Sequence, residues 1–489
     1  IRAIPKRLAL SFHIIPVALD ESRLKVAVND PNNLEIKDTL EQEVGLEIEF
    51  VKADLHDIQK AIRNHYGEEK SFVQLMTDLN VDTEEEKTNK VVKEVSTVSA
   101  NDGRESTVVD LFNFIVDQAI LNKASDIHIE PAKEHTIIRF RVDGVLQEFN
   151  KVESQYHRSL ISLIKVDAGM DITESRVPQD GQIEVEWHDQ FFDMRIATAP
   201  TLYGEKCTIR LLTKEILGLG LDRLGFSEKT MEKFQKVIRI PTGLILVTGP
   251  TGSGKTTTLF SILSIIRDIS KNIITIEDPI EYRLPLVNQI EVNKKVGLDF
   301  ASACRSLLRQ DPDVILMGEI RDLETATLAV QSSLAGTLLL STLHSNTAIN
   351  TVGRLINLGV DRVWVGSALS CILAQRLVRK NCVHCKEKYS PEKTDLQMLN
   401  LPLDGEYFHG KGCDACGGTG YSGRVCISEL LVVNDDLKEG IFEGKSPLQL
   451  RNMALELGFL PFDEDAREKV FQGVTTVTEI MRKVPLRIK

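Results

Sequence analysis

No apolar run in the 489 residues approaches the roughly 20 needed to cross a bilayer; runs such as Leu244 to Val247 and Leu338 to Leu340 are far shorter. No secretory leader is visible, and the chain opens on Ile1 rather than Met, which leaves room for residues upstream. Basic excess is missing too. With 71 acidic against 59 basic residues the net charge is −12, which speaks against DNA or RNA as the main partner, because nucleic-acid binders carry a basic footprint. Four of the eight cysteines (Cys207, Cys304, Cys371 and Cys426) are scattered through apolar segments, as reduced, buried thiols are, and that pattern points to the cytosol. The length is too great for one core and predicts about three domains.

What is present centres on Gly249-Pro250-Thr251-Gly252-Ser253-Gly254-Lys255-Thr256. The apolar run Leu244 to Val247 before it reads as a buried strand, and Thr257 to Leu263 after it as the start of a helix. That is the setting a G-x-x-x-x-G-K-[ST] phosphate loop requires. Its glycines let backbone N–H groups curl round phosphates, and the helix N-terminus adds a positive dipole. Lys255 is expected on the β- and γ-phosphates of a nucleotide and the Thr256 hydroxyl on Mg²⁺, with Thr257 beside them. The bland alternative, a glycine-rich turn, does not account for the full pattern between strand and helix.

Residues 1–67 read as a small α/β docking or regulatory unit. Its strands are expected at Leu24 to Val28 and Leu46 to Phe50, its helices from Leu34 and from Leu55 to Tyr66. Residues 68–106 are poor in large apolar side chains, with the run Asp82-Thr83-Glu84-Glu85-Glu86-Lys87, and read as a solvated linker. Residues 107–213 read as a strand-rich α+β domain: a helix from Val108 to Leu121, the alternating Ala124-Ser125-Asp126-Ile127-His128-Ile129-Glu130-Pro131, and an Asp143-Gly144 hairpin turn. Its arginines Arg139, Arg141, Arg176, Arg195 and Arg210 either solvate an outer face or reach phosphates as arginine fingers, and spacing alone does not choose among them. A connector, 214–238, includes Leu217-Gly218-Leu219-Gly220-Leu221 and would permit a hinge. Residues 239–489 complete the chain.

Downstream of the phosphate loop, three apolar runs each deliver polar groups. Ile273 to Ile276 leads into Glu277-Asp278-Pro279-Ile280-Glu281, Val314 to Met317 into Gly318-Glu319, and Leu338 to Leu340 into Ser341-Thr342-Leu343-His344. In open α/β sheets ligands sit beyond the carboxyl ends of the strands, so these groups would converge there to hold Mg²⁺ or polarise water. Glu319 fits a Walker B acid, and His344 could sense a γ-phosphate, although a lone histidine at a strand end is more often structural. Finally, Cys382-x-x-Cys385 and Cys413-x-x-Cys416 suit one tetrahedral, structural Zn²⁺ within a subdomain at about 378–424. Two disulfides are the alternative.

Together these segments resemble the secretion ATPase superfamily that powers type II secretion and type IV pilus assembly. The resemblance rests on the Ala124–Pro131 segment, Arg141-Val142-Asp143-Gly144, Pro178-Gln179-Asp180-Gly181, Tyr203-Gly204-Glu205-Lys206, the phosphate loop, the box ending in Glu281, Gly318-Glu319-Ile320-Arg321-Asp322, Ser341 to His344 and the four cysteines. It implies a homo-hexameric motor in which a PAS-like domain precedes a RecA-like ATPase domain with a zinc-binding insertion. It further implies Glu281 as general base, Glu319 acting on Mg²⁺ and its water, Arg195 and Arg210 reaching the phosphates, and His344 as the second histidine of a histidine box. ATP, Mg²⁺ and structural Zn²⁺ are the implied cofactors. The implied partners are an inner-membrane platform protein and other pilus or secretion assembly proteins, met from the cytoplasm at the inner membrane, so that membrane association is indirect. Thr337 stands where the family's first box histidine is usual, and Cys426 where glycine is usual. The alternatives are a conjugation-type hexameric ATPase or DNA translocase, and a nucleotide switch without hydrolysis.

Overall fold

The fold is that of a computed structural model, which describes residues 103–485 apart from 188–189 and 214–219, together with parts of 4–61. Residues 68–102 of the linker and most of the expected helix from Leu55 to Tyr66 lie outside the described residues, as does the start of the connector, whereas 103–106, read as the end of the linker, are helical. The chain divides into two compact units, 1–214 and 215–489. Among the described residues no helix is long and apolar enough to cross a membrane.

The first unit opens with a three-stranded sheet. β1 (Ile15–Asp20) runs antiparallel to β2 (Arg23–Val28), and β3 (Glu47–Lys52) lies parallel to β2. Leu24, Val26, Val28 and Ile48 bury one face of it, packing with Leu8, Ile14 and Leu40. β1 had no counterpart in the sequence reading: exposed Val17 and Leu19 break the burial alternation that marks a half-buried strand.

The same unit then carries α1 (Gly103–Leu121) and six strands, β4 (Ala124–Pro131), β5 (His135–Val142), β6 (Val145–Glu153), β7 (Gln179–Trp187), β8 (Gln190–Thr201) and β9 (Gly204–Thr213). They form one antiparallel sheet in the order β6-β5-β4-β9-β8-β7. Asp143 and Gly144 both have positive φ, 48° and 78°, as a two-residue hairpin turn between right-twisted strands demands. A helix not foreseen, α2 (His157–Asp167), joins α1 on the apolar face. There Leu111, Ile115, Leu160 and Ile164 pack against Ile127, Ile129, Ile138 and Ile209. Strand alternation sends Asp126, His128 and Glu130 to the other face.

In the second unit, α3 (Glu228–Val237) falls inside the stretch read as connector and packs Phe234 and Val237 into the core. Then follow β10 (Gly243–Thr248), α4 (Lys255–Ile266), β11 (Ile273–Glu277), β12 (Asn288–Glu291), α5 (Phe300–Leu307), β13 (Val314–Met317), α6 (Leu323–Leu334), β14 (Leu338–Leu343), α7 (Ala348–Asn357), β15 (Leu369–Asn381) and β18 (Tyr421–Val432). The sheet order is β12-β11-β13-β14-β10-β15-β18, with every neighbouring pair parallel except β15–β18. Strands β10, β13 and β14 are buried along their whole length, which is why they read as unbroken apolar runs. Leu244 and Leu246 point into one core with α6 and α7, while Ile245 and Val247 point into the other with α3 and α4. This mixed α/β layering places the ends of β10, β11, β13 and β14 at one edge of the sheet.

Candidate active site

At that edge the backbone leaves β10 through three glycines with positive φ: Gly249 at 150°, Gly252 at 74° and Gly254 at 88°. A Cβ on Gly249 would lie 2.6 Å from both the Gln375 carbonyl oxygen and Ser253 Oγ, so only glycine lets the loop lie this close to β15. Pro250, Thr251 and Gly252 are exposed, and Ser253 is buried beneath them. Gly254 caps α4, whose first turn carries Lys255, Thr256 and Thr257, all half-buried. Lys255 Nζ curls back to donate to the carbonyls of Gly249 at 3.0 Å and Pro250 at 3.1 Å. Burial lowers the pKa of this ammonium, and the nearby carboxylates of Glu319 and Glu281 oppose that shift.

The acids arrive on neighbouring strands. Glu319 follows β13, with its side chain 16% exposed; it pairs with Arg321 and lies 3.8 Å from His344 Nε2. The ends of the two strands are tied together: Ile320 N–H donates to Thr342 O at 2.9 Å, and Thr342 Oγ1 to Gly318 O at 2.8 Å. Thr248 Oγ1 likewise donates to Leu343 O at 2.7 Å, joining the phosphate-loop strand to the His344 strand. Glu277 ends β11 almost wholly buried, and burial raises its pKa. Glu281 is four residues farther on and half-buried. The phosphate loop, Glu281, Glu319 and His344 are thus gathered at one sheet edge.

Three residues here went unnoticed in the sequence. Arg376 on β15 is 5% exposed. It donates to Gln375 O, which adjoins Gly249, and to Asn346 O, both at 2.8 Å, so it links the floor of the phosphate loop to the His344 loop. Glu429 on β18 accepts from Ala348 N–H at 2.5 Å, at the start of α7, and from Phe462 N–H at 3.4 Å. Burial pushes its pKa up to about 7. A carboxyl raised this way stabilises the fold fully below its ordinary pKa of 4.5 and loses that contribution as pH rises through about 7. Glu429→Gln should therefore melt progressively higher than the parent between pH 5 and pH 8; a constant difference across that range would contradict the shift. The third is Gln289 on β12. A buried Arg or Glu in a strand, or a Gln on an edge strand, carries no motif, and only the fold reveals what each touches.

In the first unit, Arg195 and Arg210 are direct register partners across β8 and β9. Arg210 Nε lies 3.1 Å from Asp126 and Arg195 Nε 3.8 Å from Asp193, with the Arg210 side chain 55% exposed. Arg139 is held by Glu130 at 2.6 Å, Arg141 lies 3.5 Å from Asp126, and Arg176 pairs with Glu174 off the sheet. On the same face His128 is 9% exposed with neither ring nitrogen hydrogen-bonded, and burial lowers its pKa. These groups form a polar sheet face on which Arg195 and Arg210 stand side by side.

The cysteine motifs sit at the tip of the β15–β18 pair: Cys382 follows Asn381 and Cys416 precedes Tyr421. Between them a hairpin of β16 (Lys386–Tyr389) and β17 (Tyr407–Gly410) fills the long spacing. The four sulfurs lie within 4.8 Å of one another, with Cys382–Cys413 and Cys385–Cys416 at 3.9 Å and Cys413–Cys416 at 3.8 Å. Thiolates at 2.3 Å from a tetrahedral zinc stand about 3.8 Å apart, so the cluster fits Zn²⁺ and is too open for disulfides. Backbone N–H groups of Cys413 and Gly420 donate to Cys416 Sγ at 3.2 Å, stabilising a thiolate. Elemental analysis should find about one zinc per chain, and Cys413→Ser should lose it and lower the melting temperature; a metal-free chain of unchanged stability would contradict a structural site. The other four cysteines are free and buried.

The family model described as type II/IV secretion system protein matches residues 101–482, and an MshEN domain model matches residues 1–72. The type IV pilus assembly ATPase PilB of Myxococcus xanthus is 40% identical over 490 residues, covering 98% of this chain and 86% of that protein. The type II secretion system protein E of Xanthomonas campestris pv. campestris is 38% identical over 486 residues, covering 99% and 85%. Among solved structures, the pilus retraction motor PilT with bound ADP matches with a TM-score of 0.51 and 28% identity, covering 75% of this chain and 95% of that one. The chain belongs to the type II/IV secretion system protein family and carries its ATPase fold.

Proposed function

We propose that this chain is a Mg²⁺-dependent ATP hydrolase that works as a homo-hexameric motor for type IV pilus or type II secretion pseudopilus assembly. The observation that carries this reading is the single sheet edge at which Lys255 feels both Glu319 and Glu281. There the Lys255 ammonium and the backbone N–H groups of residues 251 to 257 hold the phosphates, and the Thr256 hydroxyl and Glu319 would hold Mg²⁺ and its water. Bound there, Mg²⁺ would supply positive charge to offset that of the phosphates. Glu281 takes a proton from the attacking water as its oxygen bonds the γ-phosphorus and the bond to the β–γ bridging oxygen breaks, leaving ADP and phosphate. His344, beside Glu319, senses the γ-phosphate, and Arg195 and Arg210 add positive charge to the phosphates during turnover. We assign 107–213 to a PAS-like domain, 214–238 to the connector and 239–489 to a RecA-like domain with its zinc subdomain at about 378–424. The remaining divisions are a small docking domain over 1–67 and a linker over 68–106. The motor docks from the cytoplasm on an inner-membrane platform protein, and zinc held by Cys382, Cys385, Cys413 and Cys416 shapes the subdomain.

A net charge of −12 supports a protein rather than a nucleic-acid partner. The test is steady-state ATPase with and without duplex DNA. An unchanged rate is expected, whereas stimulation by DNA would move the reading to a translocase.

A further inference from the structure

We propose that Gln289 is a positioning residue for ATP hydrolysis, closing the loop that carries Glu281 and so fixing where that carboxylate points. The chain leaves β11 at Glu277, passes through residues 278–287 and returns as β12, which pairs in parallel with β11 so that Gln289 stands opposite Thr275. One side-chain amide then gathers the loop. Gln289 Nε2 donates to Glu277 Oε1 at 3.0 Å and to the Tyr282 carbonyl at 2.7 Å, while its Oε1 accepts the Leu284 N–H at 2.9 Å. Glu277, buried at the root of the loop, also accepts from Thr275 Oγ1 at 2.6 Å and from the Glu281 backbone. Only an amide offers two donors and an acceptor in this geometry; a carboxylate would face Glu277 with like charge, and an apolar side chain would leave three polar groups unpaired.

The loop is also registered on the phosphate-loop helix. The Tyr282 ring packs edge-on against Phe260 of α4 at 5.2 Å between centroids, and its phenol faces the Thr257 hydroxyl. The residue next to Glu281 is therefore anchored both to the turn bearing Lys255 and Thr256 and to the Gln289 clamp. With the clamp gone, the phosphate loop keeps its own glycines and its own lysine, and what changes is the aim of Glu281. A misplacement of about 1 Å costs on the order of 100-fold in rate.

This inference rests on the reading of Glu281 as the base, and the experiment separates the two. Gln289→Leu, Gln289→Glu, Glu281→Gln and the Glu281→Gln/Gln289→Glu pair are compared with the parent for kcat on Mg-ATP, affinity for a non-hydrolysable Mg-ATP analogue, and melting temperature. Each Gln289 variant is expected to lower kcat by about 10- to 100-fold with analogue affinity changed less than about threefold, and the double variant to be no slower than Glu281→Gln alone. The near-isosteric Gln289→Glu, which keeps the acceptor for Leu284, carries the test if Gln289→Leu does not fold. Parent-like kcat in the folded Gln289 variants overturns the proposal while leaving Glu281 as base. So does a multiplicative loss in the double variant, or a fall in affinity that accounts for the whole effect. Parent-like turnover by Glu281→Gln overturns both.

Discussion

Lys255→Ala is expected to weaken Mg-ATP binding by about 100- to 1,000-fold, with turnover at fixed nucleotide falling further. The ammonium spans the centre of the loop, within reach of the Gly249 and Pro250 carbonyls and of the field of Glu319 and Glu281. Its replacement removes the loop's own full positive charge and with it the attraction to the nearby Glu319 and Glu281 carboxylates. Truncating one partner of a hydrogen-bonded charge pair costs about 2–5 kcal/mol, and each 1.4 kcal/mol is tenfold. Lys255→Arg should not restore function, because a broad planar guanidinium cannot take the place of the compact ammonium held between the Gly249 and Pro250 carbonyls. Fluorescent-nucleotide titration checks the first claim and phosphate release the second. Affinity within threefold of the parent would show that Lys255 does not hold the nucleotide.

Glu281→Gln should leave binding nearly intact and lower kcat by about 10²–10⁴-fold, the range that a positioned base contributes. The amide keeps the shape and can still orient water, but it cannot take the proton. Glu319→Gln makes an instructive contrast: it removes the negative charge that pairs with Arg321 and faces His344, so both Mg²⁺-dependent affinity and kcat should fall. Rapid-quench measurement of ADP separates the two, because Glu281→Gln would accumulate bound ATP. Equal rates for Glu281→Gln and the parent would place the base elsewhere.

Much of this site was legible because buried parallel strands leave a plain mark. Leu244 to Val247, Val314 to Met317 and Leu338 to Leu340 are apolar on both faces, so the polar residues that follow stand out as a ligand-facing edge. The phosphate loop and the cysteine pairs are legible for a different reason: φ > 0 and tetrahedral thiolate geometry restrict residue type and spacing. What stayed hidden is what depends on pairing across distant segments. β15 and β18 are separated by the whole cysteine subdomain, and β12 is a four-residue edge strand with mixed polarity. Helix α2 has no proline or glycine at its start and no capping side chain, so the signals that mark a helix N-terminus were missing. Thr337, in place of the usual histidine, turns out to bond the Pro312 carbonyl at 3.3 Å, away from the phosphate loop. The arginines show the same limit. Sequence offered five, and the fold separates the exposed Arg176–Glu174 pair and the tightly held Arg139 from Arg195 and Arg210, adjacent on one sheet face.

The central claim is that this sheet edge hydrolyses ATP rather than merely binding it. The most direct measurement is phosphate release from ATP by the purified chain, with Mg²⁺, with Mg²⁺ chelated, and with Mg²⁺ restored. Steady release with Mg²⁺, its loss on chelation and its recovery on restoration are predicted. Tight Mg-ATP binding with no ADP formed over many hours would contradict the account.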